Sequence, residues 1–393
     1  MPVLMTEMNH DWVRDQLMEI LTLPIDGDLE PDDFVGDPDL GEAEGLFEAY
    51  YPDTIRRDRV SDIYDYTKVI IGRVAPRFLK ASTLKMLLNF EWLAHMQIKV
   101  KLGSDQPKLY RDHVLHPANV CAIGWWMSDQ GPEPLRLGKI AALLEKHYGS
   151  ACHGQDWKDI TQRAWVLASL NHDILYPIEF LESLNCDENI IKHTTWEKKR
   201  LARSQVRRIF EGATMEIFQG QTSRSGLEAM IRSVKRSHAP LSGLYLIGND
   251  SGYAGTSERR KIIHELAASA VLHHHSESPV NIDYHLRPLG YLLALADECH
   301  EFGREMAVWN GGSDVCEVKF ISPVTSSVIT NSINDFTITF YLNGSDEIQA
   351  LKKAGFERAM YVTNKEGSFE RFNPLESPLG NYQNGFSFQA KVQ

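Results

Sequence analysis

Trp165-Val166-Leu167-Ala168-Ser169-Leu170-Asn171-His172-Asp173-Ile174-Leu175-Tyr176-Pro177 is the stretch that decides how this chain is read. Its apolar residues recur at helical spacing, and a His-Asp doublet closes the pattern just before a proline. An imidazole and a carboxylate at the end of a buried helix are costly unless something compensates their desolvation. A bound cation does so directly. Three further segments carry the same kinds of side chain. Upstream lies Tyr110-Arg111-Asp112-His113-Val114-Leu115-His116; downstream lie Leu272-His273-His274-His275 and Leu293-Ala294-Leu295-Ala296-Asp297-Glu298.

Working outward, residues 1–105 read as an N-terminal helical region. Ile63 to Val74 and Phe78 to Val100 have helical periodicity, and a loop rich in Asp, Gly and Pro spans Asp26 to Glu44. Residues 106–310 hold every candidate ligand and are also helical in pattern. Thr195 to Phe218 reads as a long charged helix and Asn249 to Ser257 as a loop. After Val315 the period changes to two. Glu317-Val318-Lys319-Phe320-Ile321 and Phe336-Thr337-Ile338-Thr339-Phe340-Tyr341-Leu342 alternate, and Met360-Tyr361-Val362 and Phe386-Ser387-Phe388-Gln389-Ala390 continue the theme. Residues 311–393 are therefore expected to form a small β-containing domain.

The chain of 393 residues is long enough for two or three domains, and 43% hydrophobic with 24% charged residues is ordinary for a globular protein. A net charge of -12 gives no global basic field, which argues against a nucleic-acid coat protein. The five Cys form no C-x-x-C pair, which fits reduced thiols rather than a disulfide framework. The opening Met1-Pro2-Val3-Leu4-Met5-Thr6-Glu7 has neither a basic nor an apolar leader region. No apolar run reaches membrane-spanning length. The expectation is a cytoplasmic protein without a membrane partner.

The order H, then HD, then H, then D resembles the HD-domain metal phosphohydrolase superfamily. Arg111-Asp112-His113 resembles its first-ligand segment, and His172-Asp173 the doublet that names it. Pro288-Leu289-Gly290-Tyr291-Leu292-Leu293-Ala294-Leu295-Ala296-Asp297-Glu298 with Arg304 resembles bacterial members of the "PLAYLL…ADE…R" kind. His172 to Pro177 resembles their "HDIGYP", with Leu175 in place of the glycine. The resemblance covers roughly residues 106–306. It implies a mainly α fold, an HD-type helical bundle between the two end regions. It implies a divalent metal (Mn, Fe, Mg, Zn, Ni or Co) held by His113, His172, Asp173 and Asp297. His116, His264 and His274 are the candidates for catalytic roles, His275 following His274 in the same run. His116 lies three residues beyond His113 and so shares its helical face.

Hydrolysis of a phosphate ester needs an activated water and neutralised phosphoryl oxygens, and a divalent metal provides both. Arg111, Arg287 and Arg304 flank ligand segments and are candidates to clamp phosphate through the guanidinium fork. The basic run Lys198-Lys199-Arg200-Leu201-Ala202-Arg203-Ser204-Gln205-Val206-Arg207-Arg208 suits either a solvated helix face or a polyphosphate contact. Gly248 to Gly255 lacks the Gly-Lys-Ser/Thr ending of a P-loop. The family analogy points to a nucleotide substrate, foremost a deoxynucleoside triphosphate cleaved to nucleoside and tripolyphosphate. A homo-oligomer and a nucleotide effector belong to the same expectation. The alternatives are a nuclease or phosphodiesterase, and a non-catalytic nucleotide sensor in a regulatory or phage-defence system. A second doublet, His10-Asp11, lies in a polar setting and reads as coincidence, with Asn9 as a helix cap.

Overall fold

The computed structural model describes residues 4–8, 10–24, 108–111, 115–149, 154–174, 176, 225, 238–248, 258–274, 284–300, 306–310, 317–321, 324–331, 336–342 and 386–392. These are mostly helical. In chain order the helices are α1 (His10–Leu21), α2 (Leu115–Gln130), α3 (Leu137–Tyr148), α4 (Trp157–Asn171), α5 (Ala239–Gly248), α6 (Glu258–His273) and α7 (Pro288–Cys299). The charged helix expected at 195–218, the basic run, the 249–255 loop, the helices expected at 63–100 and the strand expected at 360–362 lie outside the described residues.

Two helices form the centre. On α4 every residue from Ala164 to Asn171 is buried, and on α6 every residue from Ile262 to His273. Several buried polar side chains on α4 donate to carbonyls of the same helix. Thr161 Oγ1 donates to Trp157 O at 2.5 Å, Ser169 Oγ to Trp165 O at 2.8 Å, and Asn171 Nδ2 to Leu167 O at 2.7 Å. Asp156 caps its start, accepting from Lys158 N and Asp159 N. The helices α2, α3 and α6 pack on α4; α5 packs on α6; α7 touches α2, α3, α4 and α6. An ion-pair cluster ties the far ends together. Asp159 takes Arg163 Nε at 2.8 Å and also pairs with Arg259 of α6. The buried Arg163 reaches on to Pro24 O beyond α1 at 3.1 Å.

Two glycines let the helices close up. A Cβ on Gly124 of α2 would lie 1.9 Å from the indole of Trp165, whose Nε1 donates to Cys121 O at 3.1 Å. A Cβ on Gly243 of α5 would lie 2.7 Å from both Ala268 O and Leu272 Cβ of α6. At both crossings helix surfaces approach more closely than any larger residue permits.

Seven strands among the described residues form two sheets, with β1 at Leu4–Met8, β2 at Lys108–Arg111, β3 at Met306–Asn310, β4 at Glu317–Ile321, β5 at Val324–Asn331, β6 at Phe336–Leu342 and β7 at Phe386–Val392. One sheet has the order β1-β5-β6-β7, the other β2-β3-β4. All pairs are antiparallel except β6 with β7. The strands β4, β6 and β7 match the alternating segments of the sequence. The strands β1 and β2 do not: both fall where helix was expected. Their partners explain them, since Leu4 pairs with Asn331 and Arg111 with Met306 across most of the chain. Each sheet thus joins C-terminal strands to a segment far upstream, and the β3–β4 pair spans residue 310.

The Gly124–Trp165 crossing gives a stability prediction. Gly124→Ala is expected to lower unfolding free energy by roughly 1–3 kcal/mol, the usual range for overpacking a rigid core. Gly138→Ala, where nothing lies within 4 Å of a Cβ, is expected to be neutral or mildly stabilising. Denaturant unfolding of the two variants beside the wild type checks both.

Candidate metal centre

Five helix ends converge on one buried cluster. His116 stands in the first turn of α2 and His238 just before α5. His172 and Asp173 follow α4, His274 follows α6, and Asp297 lies in the last turn of α7. The local chain explains how the doublet is aimed. His172 keeps helical angles (φ -62°, ψ -33°), and the turn continues as Ile174 N donates to Asn171 O at 3.2 Å and Tyr176 N to Asp173 O at 2.8 Å. The doublet therefore leaves the helix in register with its last buried turn.

The distances are short. His116 Nε2 is 2.7 Å from Asp297 Oδ1 and 3.9 Å from Asp173 Oδ2. His172 Nε2 is 3.5 Å from Asp173 Oδ1 and 3.9 Å from Asp297 Oδ1. His238 Nε2 is 2.8 Å from Asp173 Oδ1. Three overlapping groups result: His116, His172 and Asp173; His172, His274 and Asp297; and Asp173, His238 and His274. Within each group the candidate ligand atoms all lie within 4.8 Å of one another. Ligand atoms sharing one metal at about 2.0–2.3 Å stand at separations up to about twice that bond length. These buried His and Asp groups could hold a metal ion.

Burial sets the protonation. His274 is pushed down to about 3 by desolvation and by the neighbouring His172 and His238, against the opposing pull of Asp297 and Asp173. It therefore stays neutral at physiological pH. Its Nδ1–H donates to Val271 O at 2.6 Å, which leaves the lone pair on Nε2. His172 Nδ1 likewise lies 2.7 Å from a main-chain carbonyl of its own helix, Ser169 O. Burial alone would raise the Asp297 carboxyl. The hydrogen bond from His116, with the nearby imidazoles of His116, His172 and His274, outweighs it and holds the group well below the usual carboxylate range.

The expected residues fall out as follows. His172, Asp173, Asp297, His116 and His274 come together. His116, expected to act beside the ligands, stands among them, touching both carboxylates; His113, expected as first ligand, lies outside the described residues. His264 is not at the cluster. It precedes His274 by ten residues on α6, about 15 Å along the axis, because the helix rises about 1.5 Å per residue. There it is buried, and desolvation and the charge of Arg260 lower it well below the usual imidazole pKa. Arg287 caps α7, and its charge, after desolvation, helps push His273 down to about 3. Arg111 has its backbone in β2, and its side chain, with His275 and Arg304, lies outside the description. The side chains of the His10-Asp11 doublet and the residue Asn9 lie outside it too. His238 escaped the sequence reading. Its signal is the one that flagged His172, a histidine at the edge of an apolar helix, here Ala239-Pro240-Leu241.

No family model, curated protein or solved structure matches this chain.

The buried imidazoles of α6 give a pH prediction. In the unfolded chain His264, His273 and His274 take protons near about 6.5, whereas the folded protein resists to a much lower pH. The unfolded state thus binds more protons below about pH 6.5, and stability falls as pH drops through that value. Asp297, held low, remains ionised throughout and adds nothing to this slope. At pH 5 the loss is on the order of 2 kcal/mol per histidine. Denaturant midpoints should be lower at pH 5 than at pH 7, with a smaller difference in His264→Leu. Equal midpoints at the two pH values would contradict the assignment.

Proposed function

We propose that this protein is a metal-dependent phosphohydrolase of the HD type, built on an HD-like helical bundle, and that it acts on nucleotides. The observation that carries the reading is the convergence of His116, His172, Asp173 and Asp297 from three separate helices, with His238 and His274 completing a second group through the shared Asp173. The donor set suits the group: imidazole Nε2 atoms and carboxylate oxygens, a mixture that takes borderline transition metals and leaves Mn and Mg open. His116, His172, Asp173 and Asp297 would hold one ion, and Asp173, His238 and His274 a second.

A bound divalent metal supplies a hydroxide nucleophile at neutral pH and neutralises phosphoryl oxygens. The chain's own part is electrostatic and positional. The helices α4, α6 and α7 direct their C-terminal ends at the cluster, where partial negative charge favours a cation. The helices α2 and α5 direct their N-terminal ends there, where backbone N–H groups favour an anion. Cation and phosphate are thus both favoured at one place. Asp173 faces His116, His172 and His238, so it is the residue placed to bridge the two halves of the cluster.

Resemblance alone selects the substrate, a deoxynucleoside triphosphate cut at the α-phosphorus. A chain of phosphates needs cationic side chains beside the metal, and Arg111 and Arg304 adjoin the ligand segments. Among the described residues no helix is long and apolar enough to cross a membrane.

Metal analysis after dialysis is expected to find a divalent ion in the wild type and none in the His172→Ala/Asp173→Ala double variant. His238→Ala is expected to lose only part of the metal. Incubation with deoxynucleoside triphosphates and Mn should release intact tripolyphosphate. Metal retained in the double variant would end the ligand assignment. Orthophosphate release would overturn attack at the α-phosphorus, and cleavage of polynucleotide without action on free nucleotides would favour the nuclease or phosphodiesterase reading. Nucleotide binding without turnover would favour a sensor.

A further inference from the structure

Three of the clustered imidazoles are backed in two different ways. His172 and His274 turn Nδ1 toward a main-chain carbonyl of their own helix. A carbonyl only accepts, so neutral His172 and His274 have one tautomer available, with the proton on Nδ1 and the lone pair on Nε2. His116 is backed by another imidazole. Its Nδ1 lies 2.7 Å from His300 Nδ1, the two rings stacked at 5.0 Å, and His300 Nε2 lies 2.8 Å from Asn119 Nδ2. All three residues are buried. His300 caps the C-terminus of α7, three residues past Asp297, and its N–H donates to Asp297 O at 3.2 Å.

An imidazole can donate or accept, and so can a carboxamide. The row Asn119–His300–His116–Asp297 therefore admits two proton arrangements. In one, Asn119 Nδ2–H donates to His300 Nε2, His300 Nδ1–H donates to His116 Nδ1, and His116 Nε2–H donates to Asp297 Oδ1, 2.7 Å away. In the other the directions reverse. His116 Nδ1–H donates to His300 Nδ1, and His300 Nε2–H donates to the Asn119 carbonyl oxygen, its amide having turned over. Only the second gives His116 a lone pair on Nε2, the atom that faces Asp173 and Asp297.

We propose that His300 and Asn119 are positioning residues that select the tautomer of His116, releasing its Nε2 to a metal by reversing a buried hydrogen-bond row. The proposal rests on the reading of the cluster as a metal centre. The step balances in protons. The Nε2 proton of His116 leaves to solvent, the Nδ1 proton of His300 crosses to His116 Nδ1, and His300 takes one proton from solvent at Nε2. Each imidazole keeps a single proton before and after. Outer partners of ligating histidines typically carry 10–100-fold in metal affinity because they fix ring orientation and basicity.

The test uses the full chain and Zn2+ alone as probe. Affinity is read by chelator competition, and the tautomer of His116 by ¹⁵N chemical shifts of its ring. In the wild type, Zn2+ is expected to move the His116 proton from Nε2 to Nδ1, while the resonances of His172 and His274 keep Nδ1 protonated. His300→Leu is expected to weaken Zn2+ binding about 10–100-fold, and Asn119→Leu toward the low end of that range. His300→Gln, which can also donate or accept, is expected to stay near wild type. If His300→Leu fails to fold, Asn119→Leu and the ¹⁵N shifts decide. Wild-type affinity in folded His300→Leu, or a His116 tautomer unchanged by Zn2+, would overturn the proposal while leaving the metal centre standing. Zn2+ binding that survives His172→Ala/Asp173→Ala would instead overturn the centre, and this proposal with it.

Discussion

The buried carboxylate of Asp173 is the constraint on which the rest of this structure depends. It is 3% exposed and sits at the C-terminal end of α4, where the helix already presents partial negative charge. A second carboxylate, Asp297, lies at the same kind of end on α7. Two negative groups at negative helix ends cannot be left uncompensated in a low-dielectric interior. The fold answers with imidazoles from three other helices, each aimed by Nε2. That answer fixes where α2, α5 and α6 must begin or end, so the cluster dictates the arrangement of helices as much as it results from it.

Close approach of the helices makes the convergence workable. At Gly124 and Gly243 the absence of a Cβ lets α2 meet α4 and α5 meet α6 almost backbone to side chain. The Asp159 pairs with Arg163 and Arg259 lock α4 to α6 near their N-terminal ends, while the cluster joins the same two helices at their C-terminal ends. Between these anchors the two helices are buried, largely by apolar residues. The geometry of the site is thus set by rigid elements held at both ends rather than by loops.

How far this could be read in the sequence depended on range. The His172-Asp173 doublet and Asp297 were legible because each interrupts a strong apolar period, and burial of a charge in such a period demands a partner. His116 was legible as a neighbour on the face of His113, yet sequence spacing alone could not say that it would touch both carboxylates. His264 looked equivalent to His274 because both interrupt the same apolar helix; ten residues of helical rise separate them, and only the packing of α6 says which end meets the cluster. His238 lay behind a short apolar helix at 239–248 that offered no partner signal. The strands at 4–8 and 108–111 were illegible for a related reason. Strand propensity is weak without the neighbour, and their partners, residues 327–331 and 306–309, are about 320 and about 200 positions away.

The two kinds of backing behind the imidazoles divide labour within the cluster. His172 and His274 are tied to carbonyls of their own helices, so their lone pairs are oriented as soon as the helices form. For His274 this has a thermodynamic consequence, because its buried imidazole stays neutral and the fold loses stability in acid. His116 stands in the first turn of α2, the end at which a helix presents its own N–H groups rather than carbonyls. His300, carried on the same helix end as Asp297, is the group that reaches its Nδ1. Proton placement on His116, at a helix beginning, thus depends on tertiary structure, whereas on His172 and His274 it depends on the last turn of their own helices.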